Sequence, residues 1–144
     1  QLVLSVGELV DSDLLPADDG RVVAVRYVPQ LALLQRTHAF VSHGGANSVM
    51  ESLACGVPML LSPFCNDQFH SAHFVERAGA GCVLDLQQAG VADIADALER
   101  LLRPGTLREQ AARIRTSYAS RDGSAGAARL INALASGNRL ATAS

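Results

Sequence analysis

The sequence predicts an α/β fold in which helices cover both faces of a parallel β-sheet. Short apolar runs of strand length alternate with segments in which apolar residues recur three and four positions apart, as in amphipathic helices. Glycine or proline stands at many of the boundaries between these segments. Such alternation favours parallel strands joined by helical crossovers. Because ligands of these sheets bind at the carboxyl ends of the strands, we expect the functional residues to lie there.

Five strands are predicted from apolar runs that end at glycine, proline or a polar residue. They cover residues 2–6, 22–26, 39–42, 58–62 and 82–84. Between the first two strands, the acidic segment Asp11–Asp19 is interrupted by Pro16, and we predict a loop there with at most one helical turn.

Six helices are predicted from the helical spacing of apolar residues. They cover residues 29–34, 46–54, 67–78, 92–102, 106–120 and 124–135. Pro29 suits a first helical turn. Gly56 and Gly79 are predicted to end the helices before them, because glycine readily adopts the left-handed conformation of a helix C-terminus. From about residue 137 the polar tail is predicted to be frayed.

Composition limits the classes of protein that the chain can belong to. A length of 144 residues suits one domain, 1–144, and 49% hydrophobic with 18% charged residues indicates a globular α/β protein. A net charge of −2 argues against a nucleic-acid or anionic-membrane partner. No apolar run approaches the ~20 residues that cross a bilayer. Three cysteines without a C-x-x-C pair favour a reducing, cytoplasmic location, and the exclusive use of arginine as base suggests a bacterial genome.

The most informative stretch is Phe40–Glu51, with the sequence F-V-S-H-G-G-A-N-S-V-M-E. A predicted strand ends here in a histidine and two glycines, and a helix follows at once. Glycine at 44 and 45 allows close approach of a ligand and tolerates positive φ. The amides and the positive dipole end of a helix N-terminus form an anion site. This turn is therefore predicted to bind phosphate, with His43 and the polar pair Asn47 and Ser48 as further donors.

Flanking motifs extend this pattern from Tyr27 to Gln68. Together they give Y-V-P-Q, H-G-G-A-N-S-V-M-E, G-V-P-M and D-Q in this order. The series resembles the nucleotide-sugar signature of inverting glycosyltransferases with the GT-B fold, namely the UDP-glucosyl and natural-product glycosyltransferases, and the bacterial macrolide-type members above all. The resemblance implies the Rossmann-like C-terminal half of a GT-B enzyme, which binds the nucleotide-sugar donor.

The resemblance also implies a role for each matching position. Donor diphosphate binding falls to the turn and first helical turn: His43, Gly44, Gly45, Ala46, Asn47 and Ser48. The nucleobase and ribose fall to Tyr27, Val28, Gln30 and Glu51, with the tyrosine ring stacking on the base and the carboxylate accepting from the ribose diol. Asp67 and Gln68 match the pair that contacts the sugar hydroxyls. This set favours a UDP-hexose as donor and leaves a dTDP-sugar open.

The family's catalytic base is a histidine of the N-terminal domain, and no residue of this chain matches it. The chain is therefore expected to be a donor-binding domain, apparently truncated at its N-terminus and inactive alone. The full enzyme, with an N-terminal acceptor-binding domain as partner, is expected to transfer a hexose to a hydroxyl of a small hydrophobic acceptor such as a natural product. Neither a cofactor nor a metal is expected, since the family is generally metal-independent.

Several alternatives stay open at this stage. The domain could be a non-catalytic nucleotide-sugar binding module, or part of another GT-B enzyme such as an epimerase. Asn47 and Ser48 could cap their helix as well as bind phosphate, and Asp67 could cap the next one. Asp67, His70 and His73 have a spacing that permits a metal site on one helical face, although two histidines on a solvated helix are more often without such a role.

Overall fold

The computed structural model describes residues 1–8, 10, 20–120 and 123–136. The predicted loop over 11–19 and the predicted frayed tail from residue 137 lie outside these residues. The chain divides into two compact units, Gln1–Thr37 and His38–Ser144.

The first unit contains two parallel strands and a short helix. Strand β1 (Leu2–Ser5) pairs with β2 (Val22–Val25), with Leu2 opposite Val22. Helix α1 (Gln30–Leu34) follows. The sequence predicts Pro29 in the first turn of this helix. In the structure Pro29 lies one residue earlier, at the N-cap position, with φ −70°. Its fixed φ still prepares the chain for the helix.

The second unit contains a three-stranded parallel sheet and five helices. Strands β3 (Phe40–Ser42), β4 (Met59–Leu61) and β5 (Gly81–Val83) lie in the order β3-β4-β5. The helices α2 to α6 cover Ala46–Cys55, Asp67–Arg77, Val91–Leu102, Thr106–Ala119 and Gly123–Ala135. The described strands thus pair as two sheets, of two and three strands, where the sequence predicts one. Strand patterns identify strands, but they do not determine which strands share hydrogen bonds.

The central strand β4 is buried on both faces. Side chains alternate along a strand, so Met59 and Leu61 face one side of the sheet and Leu60 faces the other. The Met59 side packs in a cluster with α2, α3 and α5 through Val49, Leu53, Ala72, Val75 and Ala111. The Leu60 side packs with Cys82 and with Ala97 and Leu101 of α4. Helices therefore cover both faces of this sheet, as predicted.

The carboxyl ends of the strands bring three loops together at one edge of this sheet. The Ser62 N–H donates to the Ser42 carbonyl at 2.9 Å, which joins the chain after β4 to the end of β3. The buried Ser62 hydroxyl accepts from the Leu86 N–H at 3.1 Å, which joins the loop after β5. The turn after β3 and the loop after β4 are thus held side by side. Among the described residues, no helix is long and apolar enough to span a bilayer.

Candidate functional site

The turn between β3 and α2 is built around Gly44. This residue has φ +87° and is buried, and its N–H donates to the Ser42 hydroxyl at 3.2 Å. A Cβ at this position would lie 3.3 Å from the Gln68 carbonyl oxygen at the start of α3. The left-handed backbone therefore favours glycine, and the close approach adds a steric cost to any side chain.

Gly45 has an ordinary backbone and a different reason to be glycine. Its φ of −58° and ψ of 139° suit any residue. A Cβ here, however, would lie 2.7 Å from the His43 Nε2 atom, because the imidazole ring folds back over Gly45. The sequence predicts that Gly45 leaves room for a ligand, and the structure shows that it leaves room for the His43 ring. Nothing in the sequence pattern distinguishes these two reasons.

Helix α2 begins beneath this ring. Gly45 is its N-cap, and the first helical hydrogen bond runs from the Val49 N–H to the Gly45 carbonyl at 3.0 Å. The amides of the first turn thus have no carbonyl partner within the helix, and no acidic side chain stands in that turn. The prediction that Asn47 and Ser48 could cap this helix is wrong, because they are its second and third residues and Gly45 occupies the N-cap position. Both lie in the turn whose amides can bind an anion.

These residues form an open depression of about 300 Å³. Its lining consists of His43, Gly45, Ala46, Asn47 and Ser48. The structure therefore brings together five of the six residues predicted to bind diphosphate, and the buried sixth, Gly44, shapes the turn that carries them. The volume suits a small anionic group better than a whole nucleotide sugar, which needs further surfaces.

The loop after β4 holds the predicted sugar-binding pair. Asp67 is exposed and is the first residue of α3, and Asn66 rather than Asp67 is the N-cap. The capping alternative for Asp67 is thus wrong. The Gln68 Oε1 atom accepts from the Phe64 N–H at 2.8 Å and from the Cys65 N–H at 3.2 Å. Asn66, which lies between Cys65 and Asp67, has φ +49° and ψ −127°, a conformation usually adopted by glycine.

Comparison with known proteins identifies the family. The profile of the UDP-glucoronosyl and UDP-glucosyl transferase family matches residues 14–122, which is most of the chain. The chain belongs to this family. The predicted resemblance is thereby confirmed.

Relatives and solved structures of glycosyltransferases agree with this assignment. An uncharacterized UDP-glucosyltransferase of Bacillus subtilis, YojK, is 32% identical over 89% of this chain and 32% of its own length. The crystal structure of the kitacinnamycin glycosyltransferase has a TM-score of 0.84 and 32% identity over 90% of this chain and 34% of that one. The glycosyltransferase VinC, solved with dTDP, has a TM-score of 0.64 and 30% identity over 69% of this chain and 25% of its own.

These matches confirm the predicted α/β fold class of the GT-B glycosyltransferases. The chain spans about a third of the length of the relatives that it matches most extensively. Its family is thus established over most of its own residues.

The residues predicted to bind the nucleoside lie in two places. Tyr27 is 81% exposed and follows β2, Val28 is half-buried, and Gln30 is the first residue of α1, all in the first unit. Glu51 lies in α2 of the second unit and is half-buried. Their roles in binding a nucleoside stay predictions.

The described residues contain no group of three or more histidine, cysteine or acidic side chains that could hold a metal ion, so Asp67, His70 and His73 do not form one. His70 and His73 are exposed on α3. Cys65 is exposed, and burial raises the pKa of the Cys82 thiol, with Arg100 opposing and Glu76 adding to the rise. Cys82 is thus a packing residue that stays protonated.

Proposed function

We propose that this chain is the donor-binding, C-terminal domain of an inverting glycosyltransferase. The full enzyme transfers a hexose from a nucleotide sugar to a hydroxyl of a small hydrophobic acceptor, such as a natural product. The observation that carries the proposal is the depression at the start of α2, where the His43 ring lies over the turn that exposes the first helical amides.

The chemistry of this depression suits a diphosphate leaving group. When an acceptor oxygen displaces the diphosphate at the anomeric carbon, negative charge grows on the β-phosphate. Fixed donors that meet this charge stabilise the transition state more than the ground state. The His43 imidazole, the amides of Ala46 and Asn47 and the positive end of the α2 dipole can supply such stabilisation. A charge-assisted hydrogen bond contributes roughly 1.5–3 kcal/mol, so no metal ion is needed in this mechanism.

The remaining parts of the donor are assigned to the flanking positions. Tyr27 and Gln30 contact the nucleobase, Val28 lies beside it, and the Glu51 carboxylate accepts from the ribose hydroxyls. Asp67 and Gln68 contact the hexose. A UDP-sugar is the proposed donor, because a carboxylate at the ribose position suits a diol. The relative VinC was solved with dTDP, so a dTDP-sugar is the competing choice.

The catalytic base is assigned to a second domain, which binds the acceptor. No residue of this chain matches the family's base, and the relatives are about three times as long. The competing function is a nucleotide-sugar binding module without transfer activity. The two differ in one feature: an enzyme carries a histidine base in its other domain, and a binding module does not. The bacterial, cytoplasmic setting indicated by composition stays a prediction.

Calorimetric titration of the protein with UDP, UDP-glucose, dTDP and uridine tests the proposal. We expect UDP and UDP-glucose to bind, and we expect His43→Ala to weaken UDP by about 10- to 100-fold while changing uridine little. His73→Ala, which removes an exposed histidine from the side of α3, is the matched control and should bind as the wild type does. Equal losses for UDP and uridine in His43→Ala would contradict the phosphate role. Tighter binding of dTDP than of UDP would reverse the choice of donor.

A further inference from the structure

The Gln68 side chain binds two consecutive residues of the loop after β4. Its Oε1 accepts from two backbone N–H groups, those of Phe64 and Cys65, at 2.8 and 3.2 Å. Its own backbone N–H donates to the Cys65 carbonyl at 3.2 Å, so the loop closes on itself around this residue. These contacts make Gln68 the anchor of the loop that carries Asp67.

The two donors fix which end of the Gln68 amide faces the loop. A backbone N–H can only donate, so the atom that meets both of them must be the oxygen. The Nε2 atom is therefore the end of the amide that stays outside this contact. It can donate a hydrogen bond to a hydroxyl oxygen, but it cannot accept one. The hydrogen bonds that Gln68 can make to a sugar are thereby reduced to those in which the sugar hydroxyl accepts.

Asn66 shows why the loop needs an anchor. Among the residues that the structure describes, Asn66 is the only non-glycine residue with a positive φ, at +49°. An asparagine holds this conformation only where its surroundings impose it. We call the two hydrogen bonds from Phe64 and Cys65 to Gln68 Oε1 the clamp. Asn66 follows the clamp directly, and α3 begins directly after Asn66 with Asp67. These hydrogen bonds thus hold the chain next to the residue whose backbone leads directly into Asp67.

Gln68 also touches the neighbouring turn. Its carbonyl oxygen lies against Gly44, at 3.3 Å from the place where a Cβ would stand. The start of α3, which carries Asp67, therefore lies directly against the turn that carries His43.

We propose that Gln68 is a positioning residue that holds residues 63–67 in the shape that directs Asp67 toward the donor sugar, and that it offers this sugar a hydrogen-bond donor alone. One hexose hydroxyl then donates to Asp67 while a neighbouring one accepts from Gln68 Nε2. This division of roles rests on the proposed function, in which the loop binds the sugar of a nucleotide sugar.

Two substitutions separate the clamp from the sugar contact. Gln68→Glu keeps an oxygen that accepts from Phe64 and Cys65 and removes the Nε2 donor. In Gln68→Met, the methionine side chain has nearly the same length as glutamine, but it lacks both the accepting oxygen and the Nε2 donor. Gln35→Met, at an exposed position after α1, makes the same chemical change elsewhere and is the control. Amide hydrogen exchange of Phe64 and Cys65, followed by NMR without ligand, reports the clamp. The ratio of the UDP-glucose and UDP dissociation constants reports the sugar contact, because it cancels effects on the diphosphate.

In Gln68→Met we expect both amides to exchange about tenfold faster, and we expect the preference for UDP-glucose over UDP to disappear. In Gln68→Glu we expect protected amides and a preference that is reduced but still present. Exchange that is unchanged in Gln68→Met, or equal losses of preference in both variants, overturns the proposal. If the wild type shows protected amides that Gln68→Met releases, yet binds no nucleotide, the positioning role is supported and the proposed function fails.

Discussion

The two loops that meet at the carboxyl edge of the sheet are built in opposite ways. The turn after β3 contains His43 and two glycines; its backbone depends on Gly44, whereas Gly45 leaves room for the His43 ring. The loop after β4 is held by a side chain, since Gln68 Oε1 accepts from Phe64 and Cys65, directly before Asn66 with its positive φ. One loop presents backbone amides of a helix end, and the other presents the carboxylate and amide of Asp67 and Gln68.

This difference agrees with the two parts of a nucleotide sugar. A diphosphate is the same in every such donor, so a backbone site serves all of them and needs no variable side chain. Hexoses differ in the position and direction of their hydroxyls, which side chains can distinguish. We infer that the turn supplies affinity for the class of donor and that the loop supplies selection within it.

The largest expected effect is that of Gly44→Ala, which breaks the contact between the two loops. Alanine is strained at the positive φ of this position, and its Cβ would press against the Gln68 carbonyl oxygen. We expect a loss of about 2–4 kcal/mol in the free energy of unfolding, together with loss of UDP binding. Urea unfolding followed by circular dichroism measures the first effect.

Gly126→Ala is the matched control for this variant. Gly126 lies inside α6, where a Cβ would meet only the end of the Arg129 side chain at 3.9 Å. Alanine favours a helix over glycine, so we expect a gain of up to about 1 kcal/mol. A Gly44→Ala protein as stable as the Gly126→Ala protein would show that the backbone contact between the loops is not required.

Gly45→Ala should have a smaller and more selective effect. The backbone of Gly45 suits alanine, so stability should change little, but the new Cβ must displace the His43 ring. We expect UDP binding to weaken about tenfold. In a His43→Ala background the same substitution should cost almost nothing, because no ring remains to be displaced. Additive losses in this double-mutant cycle would mean that Gly45 acts on the ligand directly.

The smallest expected effect is that of Asn66→Gly in the loop after β4. Glycine adopts positive φ without steric cost, but it also gives the unfolded chain more freedom. The two terms oppose each other, and we expect a net gain of about 0.5 kcal/mol. Asn66→Ala should instead destabilise. Thermal unfolding of both variants checks the sign, and a less stable Asn66→Gly would indicate that the asparagine side chain itself holds the loop.

Local patterns were sufficient to predict the elements of this fold. Every predicted strand and helix that the structure describes ends within one residue of the observed position, because glycine, proline and apolar spacing act over a few residues. The pairing of strands was not predictable in this way. It depends on contacts between distant residues, and the described strands form two sheets where one was expected.

The site divides in the same manner. The residues around the start of α2 could be predicted, since a strand, two glycines and a helix specify an anion site by themselves. The reasons for individual residues could not. That Gly45 accommodates the His43 ring, and that the Gln68 oxygen is engaged by Phe64 and Cys65, follow from side-chain positions that no spacing rule describes.

The division of labour between the two loops is tested most directly by measuring UDP and UDP-glucose binding to His43→Ala and Asp67→Ala. We expect His43→Ala to weaken both ligands by the same factor, about 10- to 100-fold. Asp67→Ala should leave UDP nearly unchanged and weaken UDP-glucose alone. A parallel loss of both ligands in Asp67→Ala, or undiminished UDP binding in His43→Ala, would contradict it.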